Sequence, residues 1–141
     1  MGKKKIVFIE TKELGKEKTL AENTEKYYSM GEKVIILTSS AERGEFFDNY
    51  LWTFKQLSFI PHVFVNEVAQ KINDEPVIIT LFEDNIINAG VLILDRPASE
   101  DFIKQFQVII DFVDRTNEQT LKDSRKRYKE YNRDLFEIIY S

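Results

Sequence analysis

Arg125 stands at the boundary between two kinds of surface. With residues 118–135, EQTLKDSRKRYKEYNRDL, wound as a helix at about 100° per residue, Leu121, Tyr128, Tyr131 and Leu135 share one side, and Lys122, Lys126, Lys129 and Arg133 share another. Arg125 falls at the seam, beside Leu121 and about one turn from Tyr128. A guanidinium fork next to an apolar wall suits a ligand that carries both a carboxylate and a hydrophobic group. A peptide C-terminus ending in a hydrophobic residue is such a ligand. The plain alternative is an amphipathic helix whose charged face only meets water. The charge distribution weighs against it. Residues 115–133 hold seven Lys/Arg and three Asp/Glu, a net of +4, in a chain of formal net charge −4, which leaves −8 for the remainder. A basic patch on an acidic chain can steer an acidic partner.

Other residues with chemical potential are few. There are no cysteines and one histidine, which excludes disulfides, thiolate zinc sites, a cysteine nucleophile and a multi-histidine metal cluster. Gly15 stands alone after the first apolar run, so neither a phosphate-binding loop nor a dinucleotide fingerprint is present, and there is no nucleophile elbow. Glu83 and Asp84 are adjacent at a strand end, where α/β proteins often keep their sites. Adjacent residues of an extended segment point to opposite faces, however, and turn solvation accounts for them better. His62 follows Pro61 with no acidic residue close by in sequence, and reads as a structural or surface histidine. The expectation is a binding protein without catalytic residues, metal or cofactor. Overall acidity argues against broad nucleic-acid binding, because a phosphate-tracking surface needs more positive charge. No apolar run approaches membrane-spanning length and MGKKKIVFIE lacks the features of a signal peptide, which fits a cytoplasmic protein.

The elements that must position these residues follow from periodicity. A 43% hydrophobic chain of 141 residues is enough for one domain with a proper core. Residues 5–9 read as a buried strand, 11–18 as a polar loop, 19–30 as a helix with Leu20, Tyr27 and Met30 inward and Gly31 at its end, and 33–38 as a second buried strand. Ser39 and Glu42 give a capping-box signature for the next helix, whose core face is Phe46, Phe47, Tyr50, Leu51 and Phe54. Trp52 is turned more than 90° from that face. It either joins Leu57, Phe59, Ile60 and Pro61 in an exposed aromatic patch or folds over the helix end. Strands are expected at 63–65, 76–82 and 90–94. The last two are separated by too few residues for a crossover helix, which predicts antiparallel or loose pairing and hence a mixed sheet. Ser99 caps a helix whose apolar face runs from Phe102 through Val113, residues 115–117 turn the chain into the basic helix, and 136–140 form an apolar tail. The fold class is α/β: a single Rossmann-like three-layer domain over residues 1–141, with a mixed, mostly parallel sheet.

Several short motifs, in a shared order and spacing, carry a resemblance. They are Gly31-Glu32-Lys33-Val34, Leu51-Trp52 followed by Ser58-Phe59-Ile60-Pro61-His62, the strand from Val91 to Leu94, Asp111-Phe112-Val113 at a helix end, and Arg125 with Arg127-Tyr128-Lys129 and Tyr131. Over most of its length the chain resembles the chi subunit of bacterial DNA polymerase III, a clamp-loader accessory protein. The resemblance implies a non-enzymatic adaptor that binds the acidic, Pro-Phe-ending C-terminal tail of single-stranded-DNA-binding protein. By position, the tail site comprises Val113, Lys122, Arg125, Tyr128 and Lys129, with the tail carboxylate on Arg125 and its Phe against the apolar wall. The stretch before Arg125 is shorter than the family's pattern. Trp52 and Phe59 match the family's second surface, which takes the psi subunit or a helicase.

Two readings from other classes compete. A small nucleotide-binding or hydrolytic α/β enzyme rests on fold analogy with Glu83 and Asp84, and the missing phosphate loop counts against it. Direct single-strand DNA binding rests on Lys126, Lys129 and Arg133 with Tyr128 and Tyr131 stacking on bases, whereas both tyrosines lie on the apolar side.

Overall fold

A computed structural model describes residues 3–11, 15–54 and 59–141. Leu57 of the expected aromatic patch, Ser58 of the family motif and residues 12–14 of the first loop lie outside the described residues. In chain order the elements are β1 (Lys4–Glu10), α1 (Glu17–Ser29), β2 (Val34–Leu37), α2 (Ala41–Thr53), β3 (His62–Val65), β4 (Val77–Thr80), β5 (Val91–Leu94), α3 (Glu100–Ile103), β6 (Val108–Val113), α4 (Glu118–Glu130) and β7 (Phe136–Tyr140). The strands form one sheet in the order β3-β4-β2-β5-β6-β1-β7.

The sheet is α/β in class, as expected, but parallel at every neighbouring pair rather than mixed. The short link between β4 and β5 is the source of the difference. The two are not neighbours: β2 lies between them and pairs with both. Each strand is four residues long. At about 3.3 Å per residue, residues 81–90 can return along so short a strand without a helix. Asn85 braces this return by donating to the carbonyl of Ala89 and accepting from its N–H.

The strands β2, β4 and β5 read VIIL, VIIT and VLIL and are buried at every residue, the pattern of a parallel sheet covered on both faces. On one face Leu20 and Tyr27 of α1 and Phe47 and Leu51 of α2 pack on Val34, Ile36, Ile79 and Ile93. On the other, Phe102 and Ile103 of α3, Phe106 and Phe136 pack on Ile6, Ile35, Leu92 and Ile109.

Four local expectations are corrected. The apolar face from Phe102 to Val113 is not one helix: α3 stops at Ile103, and VIIDFV is the strand β6, buried from Ile109 onward. Periodicity cannot separate a short buried helix from a strand covered on both faces, and the β-branched content favours the strand. The second helix is capped by Ser40, whose Oγ accepts from Arg43 N–H at 3.1 Å, rather than by Ser39. Thr38 still donates its N–H to Thr80 at the end of the sheet, so the chain turns one residue later than the signature suggests. Phe46 is exposed, and so is Met30, which lies beyond α1. Gly31, with φ of 83°, ends α1 as expected: its N–H reaches Tyr28 O and that of Glu32 reaches Tyr27 O, the paired bonds of a Schellman motif. Finally, the basic helix ends at Glu130, not at Leu135, and the apolar tail is an edge strand, β7, paired in parallel with β1. Tyr131 leaves the helix with ψ of 137°, and Arg133 folds back to donate to the carbonyls of Tyr128 and Lys129, which closes the helix end. Leu135 is therefore exposed rather than part of an apolar helix side.

Candidate functional site

Helix α4 begins with a reciprocal cap. Asn117 Oδ1 accepts from Thr120 N–H at 2.9 Å, and Thr120 Oγ1 accepts from Asn117 N–H at 3.1 Å. Ser124 is its fully buried residue; its hydroxyl accepts from Asp114 N–H at 2.9 Å, which ties the helix to the segment leaving β6. One turn later Arg127 also points inward, to Asp111 of β6, with Nε at 2.9 Å and a terminal nitrogen at 3.1 Å. The Tyr131 hydroxyl donates to the same carboxylate. Burial alone would lower the pKa of Arg127, but the Asp111 carboxylate outweighs it and holds the guanidinium protonated; burial, reinforced by Asp111, raises the Tyr131 phenol. Arg127, counted among the basic residues, is thus a structural clamp.

With Arg127 turned inward, Tyr128 and Lys129 are set on the flank of the helix. The Tyr128 ring meets Phe8 edge-on at 5.3 Å and Tyr140 at 6.0 Å. A cavity of about 200 Å³ opens there. Its floor is Phe8 of β1 and Val113 of β6, its apolar walls are Tyr128 and Tyr140, and its cationic rim is Arg115, Arg125 and Lys129. The three basic residues are exposed, and among the described residues no acidic side chain lines the space. It is smaller than the roughly 300–1,000 Å³ of small-molecule sites. One hydrophobic side chain with a carboxylate at the mouth matches its size and polarity.

The fold therefore gathers four of the five expected tail-site residues, Val113, Arg125, Tyr128 and Lys129, around one cavity. Lys122 is exposed on α4 and does not line it. Sequence reasoning missed Phe8, Arg115 and Tyr140. Phe8 read as core, Arg115 as turn and Tyr140 as tail; only the adjacency of β6, β1 and β7 brings them together.

Residues 4–138 match the family model described as DNA polymerase III chi subunit, HolC. The chain belongs to the DNA polymerase III chi subunit family. A probable DNA polymerase III subunit chi of Rickettsia prowazekii (strain Madrid E) is similar to it, with 28% identity over 122 residues that cover 79% of this chain and 73% of the relative. Membership gives this chi-family chain a replication accessory role, in a family of non-catalytic subunits.

On the other side of the chi-family sheet, Trp52 is 45% and Phe59 65% exposed, with ring centroids 5.1 Å apart. Both alternatives for Trp52 are met in part: with Phe59 it presents one side to solvent and it lies 4.2 Å from the ring of His62, whereas Ile60 of the expected patch is buried in the core. His62 is buried, and an acidic residue does attend it. Its Nδ1 lies 2.6 Å from Ile60 O, and its Nε2 lies 2.9 Å from Asp48 O and 3.1 Å from Asp48 Oδ1. Asp48 comes from α2, one helical turn before Trp52, so the sequence around His62 did not disclose it.

Glu83 accepts from the N–H and hydroxyl of Ser99 and lies 3.6 Å from Arg96, which makes it a brace for α3. At the carboxyl ends of β2 and β5 the buried Asp95 accepts from Thr38 and Arg43, while Lys16 Nζ donates to its carbonyl at 2.6 Å. This is where α/β folds place ligands, but here the charges satisfy one another. No helix among the described residues is long and apolar enough to cross a membrane.

Proposed function

We propose that the chain is a cytoplasmic, non-catalytic adaptor that binds the acidic C-terminal tail of single-stranded-DNA-binding protein and links it to the clamp-loader complex of DNA polymerase III. The observation that carries this reading is the Phe8–Val113 cavity with its rim of three cations. The terminal Phe of the tail enters between Tyr128 and Tyr140, its carboxylate meets Arg125, and Lys129 faces the preceding acidic residues. Lys122, outside the cavity, supplies at most long-range attraction.

Titration of a fluorescent acidic peptide ending in Pro-Phe, with a free carboxylate, tests the proposal. Arg125→Ala should cost roughly 1.5–3 kcal/mol, the worth of a charge-assisted hydrogen bond. Lys122→Ala should bind within about twofold of wild type. Wild-type binding should weaken as salt rises, because the rim is exposed. No binding to the wild type, or full binding by Arg125→Ala, overturns it.

The exposed Trp52–Phe59 pair supports a second macromolecular contact, to the psi subunit or to a helicase, since paired exposed aromatics are characteristic of interface anchors. Trp52→Ala should abolish such a contact without changing tail-peptide affinity.

A further inference from the structure

The cationic rim of the cavity is already partly answered from within the chain. Glu10 lies two residues beyond Phe8 on β1, on the same face of the strand as that floor residue, and its Cα is in register with Val113. One carboxylate oxygen accepts from Arg115 Nε and the other from the Tyr140 hydroxyl. Glu10 thus bridges a rim cation and a wall of the cavity without lining the space itself. Its backbone is fixed by the bond from its N–H to Ser141 O at 2.7 Å, while its side chain remains 30% exposed and that of Arg115 43% exposed. The pair is accessible to a competing carboxylate.

We propose that Glu10 is an internal competitor for the cavity: it holds Arg115 and Tyr140 in the free protein, and a side-chain carboxylate of an acidic peptide displaces it and takes Arg115 as a second anchor beside Arg125. The inference rests on the tail-binding reading above and specifies its selectivity. The hydrogen bond from Arg115, then that from Tyr140, holds the Glu10 carboxyl below the usual carboxylate range, with the charge of Arg125 adding to the effect, so Glu10 stays ionised and senses both rim arginines. A peptide with a hydrophobic end but no further acid cannot replace what Glu10 gives Arg115. A peptide with an acid near its end can, so the device discriminates against neutral termini.

The test uses the full chain with two peptides, one ending in Asp-Pro-Phe and one in Asn-Pro-Phe. Glu10→Gln should bind the Asp peptide roughly two- to fivefold more tightly than wild type, the range of one exposed ion pair, and the Asn peptide with a clearly smaller gain. Arg115→Ala should weaken the Asp peptide alone, and Glu10→Gln with Arg115→Ala should show no gain over Arg115→Ala. Thermal melts of each variant confirm that the folded chain is being compared. Equal or weaker binding of the Asp peptide by Glu10→Gln, with normal wild-type binding, overturns the competitor role and leaves the tail reading intact. Absence of binding to wild type and Glu10→Gln alike removes both.

Discussion

Arg127 meets Asp111 with two nearly parallel hydrogen bonds across the interface between α4 and β6, at 2.9 and 3.1 Å, and both side chains are largely withdrawn from water. This contact fixes the rotation of α4 on the sheet, and so decides that Tyr128 and Lys129, not Arg127, face the cavity. Removing one member strands the other's charge in the interior. Arg127→Leu should cost about 3 kcal/mol in urea denaturation, the lower end of the range for a broken buried pair, since the guanidinium keeps some access to water. Asp111→Asn should cost less, because the amide still fits between Arg127 and Tyr131. A loss below about 0.5 kcal/mol in Arg127→Leu, typical of an exposed pair, would remove the clamp role.

Gly44 of α2 lies directly against Phe64 of the sheet. A Cβ there would lie 2.2 Å from the ring of Phe64 on β3. In an exposed helix Gly→Ala gains roughly 0.5–1 kcal/mol, whereas overpacking costs about 1–3 kcal/mol. Gly44→Ala should therefore lower the melting temperature, and Phe64→Ala in the same chain should make the added methyl neutral or favourable. Stabilisation by Gly44→Ala alone would show that the two elements separate freely.

Acid sensitivity should centre on Asp95. Burial raises its pKa, but the hydrogen bond from Arg43, the charge of Lys16 and the Thr38 hydroxyl outweigh that and hold it below the ordinary value. A depressed folded pKa contributes stability above the unfolded value of about 3.9 and loses it as pH falls through the folded one. Melting temperature should hold from neutrality to about pH 4 and then drop. Asp95→Asn should be less stable at pH 7 and show a shallower acid loss. An unchanged acid slope in that variant would assign the transition to other carboxylates.

The short buried strands were legible because four apolar residues between turn signals leave few alternatives, and the seam at Arg125 was legible because helical spacing alone places it beside Tyr128. Strand order was not. The position of β2 between β4 and β5 is a property of the assembled sheet, and a mixed arrangement followed from treating sequence neighbours as spatial ones. β6 was hidden by the same cause: once covered on both sides, Val108–Val113 loses the alternation that identifies a strand. The carboxylate that bridges the cationic rim was hidden too, since Glu10 and Arg115 are separated by 105 positions.

Strand β1 lies between β6 and β7, with Lys5 beside Val108 on one side and Glu137 on the other. Both of its neighbours come from more than a hundred positions later. During synthesis this apolar strand waits for about a hundred further residues before either edge is paired. That delay raises the entropic cost of closing the sheet, and it exposes an aggregation-prone segment in the meantime. The basic Lys3, Lys4 and Lys5 ahead of Ile6 suit a strand that must stay solvated while it waits, as gatekeeping charges do beside unavoidable apolar runs.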